Sequence, residues 1–72
     1  MLKVRSLISE GIIDGKVNGV AEISVSNTSE LATTDGNTVF TDGSIAWVIR
    51  TGAFYGLDGG TWYKQDGSGE TI

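Results

Sequence analysis

The sequence predicts a small all-β domain: an antiparallel, sandwich-like meander with an extended N-terminal arm and one short helical turn. Two observations carry this. Val, Ile and Thr make up 21 of the 72 residues, and β-branched side chains suit a pleated surface better than a helix. All five Asp residues precede a glycine, at Asp14-Gly15, Asp35-Gly36, Asp42-Gly43, Asp58-Gly59 and Asp66-Gly67, and Asn18-Gly19 adds a sixth dipeptide of the kind. Such pairs tolerate the positive φ of tight hairpin turns, so most are read as turns between short antiparallel strands.

The elements follow from that punctuation. Residues 1–20 fit either a helix, through Val4, Leu7, Ile8 and Ile12, or extended structure. Gly11 opposes the helix, Leu2-Lys3-Val4-Arg5 alternates as a strand, and Ile12 to Val17 around Asp14-Gly15 reads as a hairpin, so extended structure is preferred. Residues 1–20 are thus an N-terminal arm or first hairpin, 21–66 a β-meander domain and 67–72 a flexible tail. Glu22 to Ser26 alternates cleanly and forms a strand. Thr28 to Ala32 reads as one helical turn capped by Asn27 or Thr28. Four strands then form the meander over 38–65: Thr38–Thr41, Ile45–Arg50, Ala53–Leu57 and Thr61–Gln65. In the second of these, Ile45, Trp47 and Ile49 share one face and Ala46, Val48 and Arg50 the other.

One internal repeat stands out. Gly52 to Gly59 and Gly60 to Gly67 both read glycine, a small residue, an aromatic, Tyr, two variable residues, Asp-Gly. Two successive strands with equal turns would put Phe54 and Trp62 in equivalent positions and turn Tyr55 and Tyr63 the other way.

A chain of this size rarely stabilises itself on a single core, which supplies about 3–5 kcal/mol below roughly 80 residues. Without Cys or His there is neither a disulfide nor an ordinary zinc site to staple it. The remaining staple is a protein partner, so an oligomer or a piece of a larger assembly is expected.

The same absences narrow the chemistry. Triads and dyads built on His or Cys, and haem ligation, are excluded. The net charge is −4, and Lys3, Arg5, Lys16, Arg50 and Lys64 stand singly rather than as a basic stripe, which argues against nucleic acid. No apolar run approaches the roughly 20 residues of a membrane span or forms a signal-peptide core, so synthesis in a cytosol is expected. The carboxylates are the one acid–base resource, and every Asp already has a turn role. Asp35-Gly36-Asn37 and Asp42-Gly43-Ser44 could offer oxygen ligands, but no calcium-loop pattern occurs. No catalytic, cofactor-binding or metal-ligating residue is therefore assigned, and no enzyme activity is expected.

All six aromatics lie in residues 40–63. Trp47, Phe54 and Trp62 are read as core or subunit interface, since a small domain needs their area. The expected interface comprises Leu2, Val4, Leu7, Ile8, Ile12 and Ile13 of the arm, with Tyr55 and Tyr63 on the opposite face of the meander.

Three runs stand together in residues 29–63: Glu30-Leu31-Ala32, Thr51-Gly52-Ala53-Phe54-Tyr55 and Asp58-Gly59-Gly60-Thr61-Trp62. In combination they resemble a small β-rich module of tailed-phage virion structural proteins, of the head fibre, tail fibre, baseplate or capsid accessory type. Glu30-Leu31-Ala32 stands where that module has a short turn ending in Pro. Thr51-Gly52-Ala53-Phe54-Tyr55 and Asp58-Gly59-Gly60-Thr61-Trp62 match its two later strands, while Thr41-Asp42-Gly43-Ser44 inserts a turn where its first strand would continue. The resemblance implies a virion location and binding to other virion proteins, a major capsid or tail protein. It also implies a homo-oligomer, a trimer by preference. Small size favours capsid decoration or cement over a tail or fibre component. The alternative is a carbohydrate- or cell-wall-binding module, since the paired octads are similar to the Gly-aromatic repeats of cell-wall binders. A small host-takeover inhibitor shares this size and acidity.

Overall fold

The computed structural model describes residues 1–72. It is nearly all β, with seven strands in one sheet: β1 (Lys3–Ile13), β2 (Lys16–Val25), β3 (Thr34–Asp35), β4 (Thr38–Phe40), β5 (Ile45–Val48), β6 (Ala53–Asp58) and β7 (Thr61–Lys64). β2 is the spine. Along one edge it pairs antiparallel with β1. Along the other it pairs parallel with β4 through Val17–Gly19 and then with β5 through Glu22–Val25. β3 flanks β4, and β6 and β7 continue outward from β5.

The arm is thus a hairpin and belongs to the sheet. Asp14 and Gly15 fill its two-residue turn with φ of 51° and 76°. Positive φ at both central positions matches the twist of the flanking strands, and Asp and Gly are the residues that tolerate it. The division expected at residue 20 falls inside β2. Two bulges interrupt the pairing, between Val4 and Ser6 and between Ser9 and Gly11. Each adds a residue to β1, and so keeps Val4 and Leu7, three apart in sequence, opposite Ile23 and Ala21 on the core side.

Asn18-Gly19 is not a turn. Both residues lie in β2, and Gly19 is there for close approach: a Cβ would sit 2.4 Å from the Ile8 carbonyl oxygen and 2.9 Å from Leu7 Cδ1. Asp42-Gly43 is not a hairpin turn either. It lies in the break between β4 and β5, which run along β2 as one interrupted strand. The four-strand meander expected over 38–65 is therefore three strands, β5 to β7, with β4 paired elsewhere. Across the break Thr41 N–H donates to the Gly19 carbonyl at 2.9 Å. The buried Ser44 hydroxyl oxygen accepts the Ala21 N–H at 3.0 Å, and its own proton goes to the Thr41 carbonyl at 2.7 Å.

The expected helical turn is a single 3-10 turn over Thr28–Glu30, capped by the Asn27 side chain, which accepts from Ser29 N–H at 3.1 Å. The end of the expected tail, Glu70–Ile72, lies back along β7. Glu70 accepts from Lys64 N–H at 2.7 Å, Thr71 bridges Tyr63, and Ile72 N–H reaches the Trp62 carbonyl at 3.2 Å.

The core is one cluster: Ala21, Ile23, Val25, Phe40, Ala46, Val48, Tyr55, Leu57 and Trp62. Leu2, Val4, Leu31 and Ala53 pack against it. The segment after β2 helps close this face, where Trp62 Nε1 donates to the Ala32 carbonyl at 3.2 Å. Only 12 of 72 residues are buried, so the protein has little apolar area to lose.

Candidate interaction surface

Two exposed surfaces flank this core. The first is the hairpin. Ten of the eleven β1 residues are exposed. Ile8 and Ile12 are each 72% accessible, Ile13 61% and Leu7 37%. The reason is geometric: β1 lies outermost, and the half of the hairpin nearest its turn extends past the core. None of the backbone hydrogen bonds made outside the strand ladders involves residues 3–13. The outer edge of β1 is an open row of peptide groups apart from the Gly11 N–H, which turns to the Ser9 hydroxyl.

The hairpin is held at both ends. At its base the N-terminal ammonium lies 2.6 Å from Glu30 Oε1 and donates to Ser26 Oγ at 2.9 Å. Glu30 also accepts from the Ser26 N–H at 2.8 Å. The bond from the ammonium, followed by that from Ser26, holds the Glu30 carboxyl below the usual carboxylate range. Farther along, Glu10 accepts from the Thr41 hydroxyl beside the β4–β5 break.

The second surface is the face of the sheet opposite the core. Trp47 on β5 and Phe54 on β6 are cross-strand partners, stacked with ring centroids 6.4 Å apart and planes 11° from parallel. The Arg5 guanidinium lies 5.5 Å from the Trp47 ring centroid. These three residues, with Glu22, Ile23 and Ile45, line a shallow pocket of about 220 Å³. Phe54, Ile45 and Ile49 are about half exposed, and Tyr63 is 37% accessible.

The expected interface set divides accordingly. Leu7, Ile8, Ile12 and Ile13 are exposed together on β1, and Tyr63 is exposed on β7. Leu2 and Val4 instead pack on the core of their own chain. Tyr55 is corrected outright: it is 6% accessible and a core residue. The sequence repeat misleads here because its two octads lie on antiparallel neighbours. β6 and β7 pair Tyr55 with Lys64 and Leu57 with Trp62. Opposite residues share a face, and here each pair joins an odd to an even position. Phe54 and Trp62, eight apart, must therefore point to opposite faces. Trp62 goes into the core, and Phe54 goes out with Trp47 and Tyr63. The row of exposed Ile45, half-buried Trp47 and exposed Ile49 was legible as one face of a strand, but not as the outward one.

No family model matches the chain, and neither the curated proteins nor the solved structures contain a match.

Proposed function

We propose that the protein is an accessory structural component of a bacteriophage virion, a capsid decoration or cement protein in preference to a tail or fibre part, and that it acts by protein–protein binding. The observation that carries the binding role is β1: an eleven-residue strand with an open edge and Leu7, Ile8, Ile12 and Ile13 exposed along it. Isolated apolar residues on a surface are ordinary, but a long open edge strand carrying four exposed apolar residues is a liability unless something covers it. The phage assignment rests on the sequence resemblance over residues 29–63.

The test is the composition of purified particles. Virions banded from the culture that produces the chain are probed with an antibody raised against it. Stable presence in the particle band, lost when Ile8, Ile12 and Ile13 are changed together to Ser, supports the reading. Recovery only in the soluble fraction overturns it.

A second reading, carbohydrate or cell-wall binding, draws on the other surface. Stacked Trp47 and Phe54 with Tyr63 nearby on the open sheet face offer aromatic area of the kind sugar rings pack on. Titration with soluble cell-wall fragments, read by Trp fluorescence in a Trp62→Phe variant, isolates the Trp47 signal. A saturable change that Phe54→Ala removes favours this reading; a flat response to every fragment opposes it.

A further inference from the structure

We infer that the outer edge of β1 pairs with β1 of a second copy of this chain, antiparallel, about a two-fold axis at Ile8. This rests on the reading of β1 as a docking strand and names what covers it.

Three observations select a second copy. The first is length. At about 3.3 Å per residue an eleven-residue strand runs about 36 Å, comparable to the 34 Å long axis of the molecule. The other outer strands cannot match it head to tail. β3 has two residues, and β7 has four and is already lined by Glu70–Ile72 of its own chain. The edge that matches β1 in length is β1 itself, and self-pairing of one edge is isologous and closes as a dimer.

The second is charge. β1 carries Lys3 and Arg5 in its first half and Glu10 in its second, with Asp14 in the turn beyond. Arg5 and Glu10 are each engaged within their own chain, over Trp47 and by the Thr41 hydroxyl, and antiparallel pairing sets Lys3 and Arg5 of one copy beside Ile13 and Gly11 of the other. Parallel pairing sets Lys3 and Arg5 against themselves. Like charges directly opposite destabilise a sheet pair, so the antiparallel arrangement is the one selected.

The third is the register. Ile8 is the midpoint of Lys3–Ile13, so full overlap centres there. Ile8 then meets Ile8, Leu7 meets Ser9, Val4 meets Ile12 and Lys3 meets Ile13 of the second copy. An axis through a residue also keeps the two sheets facing the same way, with Val4, Leu7, Ser9 and Ile12 of both copies on the core side. The run Ser6–Ser9 at the centre is uncharged and unbroken. Both bulges lie outside it, so bulges and edge charges, which elsewhere block edge pairing, here flank the centre of the contact.

The test uses the full purified chain. Light scattering across the micromolar range is expected to give twice the chain mass. Ile8→Lys puts two ammonium groups at the axis and is expected to give a monomer with the unchanged circular dichroism of the native fold, since Ile8 is mostly exposed. The chain has no cysteine, so Ile8→Cys reports the axis directly: mild oxidation is expected to link it nearly completely as a dimer. Ile13→Cys, whose two copies would stand about 34 Å apart, is expected to remain unlinked. A monomeric native chain, a trimer, an Ile8→Lys variant that stays dimeric, or equal linking at Ile13 overturns the inference. A chain linked at Ile8 yet absent from virions overturns the virion reading alone, and a monomer found on virions overturns the self-pairing alone.

Discussion

The Ser44 hydroxyl stands in for a backbone carbonyl, accepting the Ala21 N–H at 3.0 Å where the strand opposite β2 is broken. Ser44 is fully buried, so water cannot replace it when it is lost. Ser44→Ala is expected to destabilise the protein by about 1–3 kcal/mol, the cost of a buried donor left unpaired. Urea unfolding measures it; a change below about 0.5 kcal/mol would mean that the break rearranges to supply another acceptor.

Gly19 and Gly56 offer a paired test of close approach. A methyl on Gly19 meets the Ile8 backbone oxygen at 2.4 Å, whereas one on Gly56 meets the far end of the Gln65 side chain at 2.9 Å. Backbone cannot yield without parting β1 from β2, while Gln65 can swing into solvent. Gly19→Ala is expected to cost about 1–3 kcal/mol and to raise hydrogen exchange along β1. Gly56→Ala is expected to stay within about 0.5 kcal/mol of the native chain. Equal effects would contradict the hairpin geometry.

Phe54 and Trp62 hold matching places in the sequence repeat and opposite places in the fold. Trp62→Ala should cost about 3–5 kcal/mol as a core truncation. Phe54→Ala should cost about 0.5–1.5 kcal/mol, the worth of its stacking on Trp47. Denaturant midpoints separate the two, and similar losses would sink the assignment of faces.

Acid should loosen the base of the hairpin. The Glu30 carboxyl titrates below its ordinary value because the N-terminal ammonium and the Ser26 N–H bond its charged form. A group whose folded pKa is depressed contributes stability that is fully present above its unfolded pKa of about 4.3. That contribution is lost as pH falls through the lower folded value. Glu30→Gln should therefore lower stability at neutral pH and flatten the acid limb of a stability–pH curve. An unaltered acid limb in that variant would refute the role given to Glu30.

Local chemistry made much of this protein legible from its sequence. The strand-rich composition, the Asp14-Gly15 hairpin, the Asn27-capped turn and the alternation of Ile45 to Val48 depend on residues within a few positions of one another, and each holds in the fold. What the sequence left open depends on distant neighbours. Alternation divides a strand into two faces, but which face is covered is set by the elements packed against it. That is why Tyr55 went in while Phe54 came out. A glycine after Asn reads as a turn until β1 is seen to lie 2.4 Å from where the Gly19 Cβ would be. The parallel contacts of β4 and β5 with β2 have no local signature, because each joins residues about twenty apart around an intervening turn. The tertiary structure alone decided these, and with them which apolar residues remain uncovered for a partner.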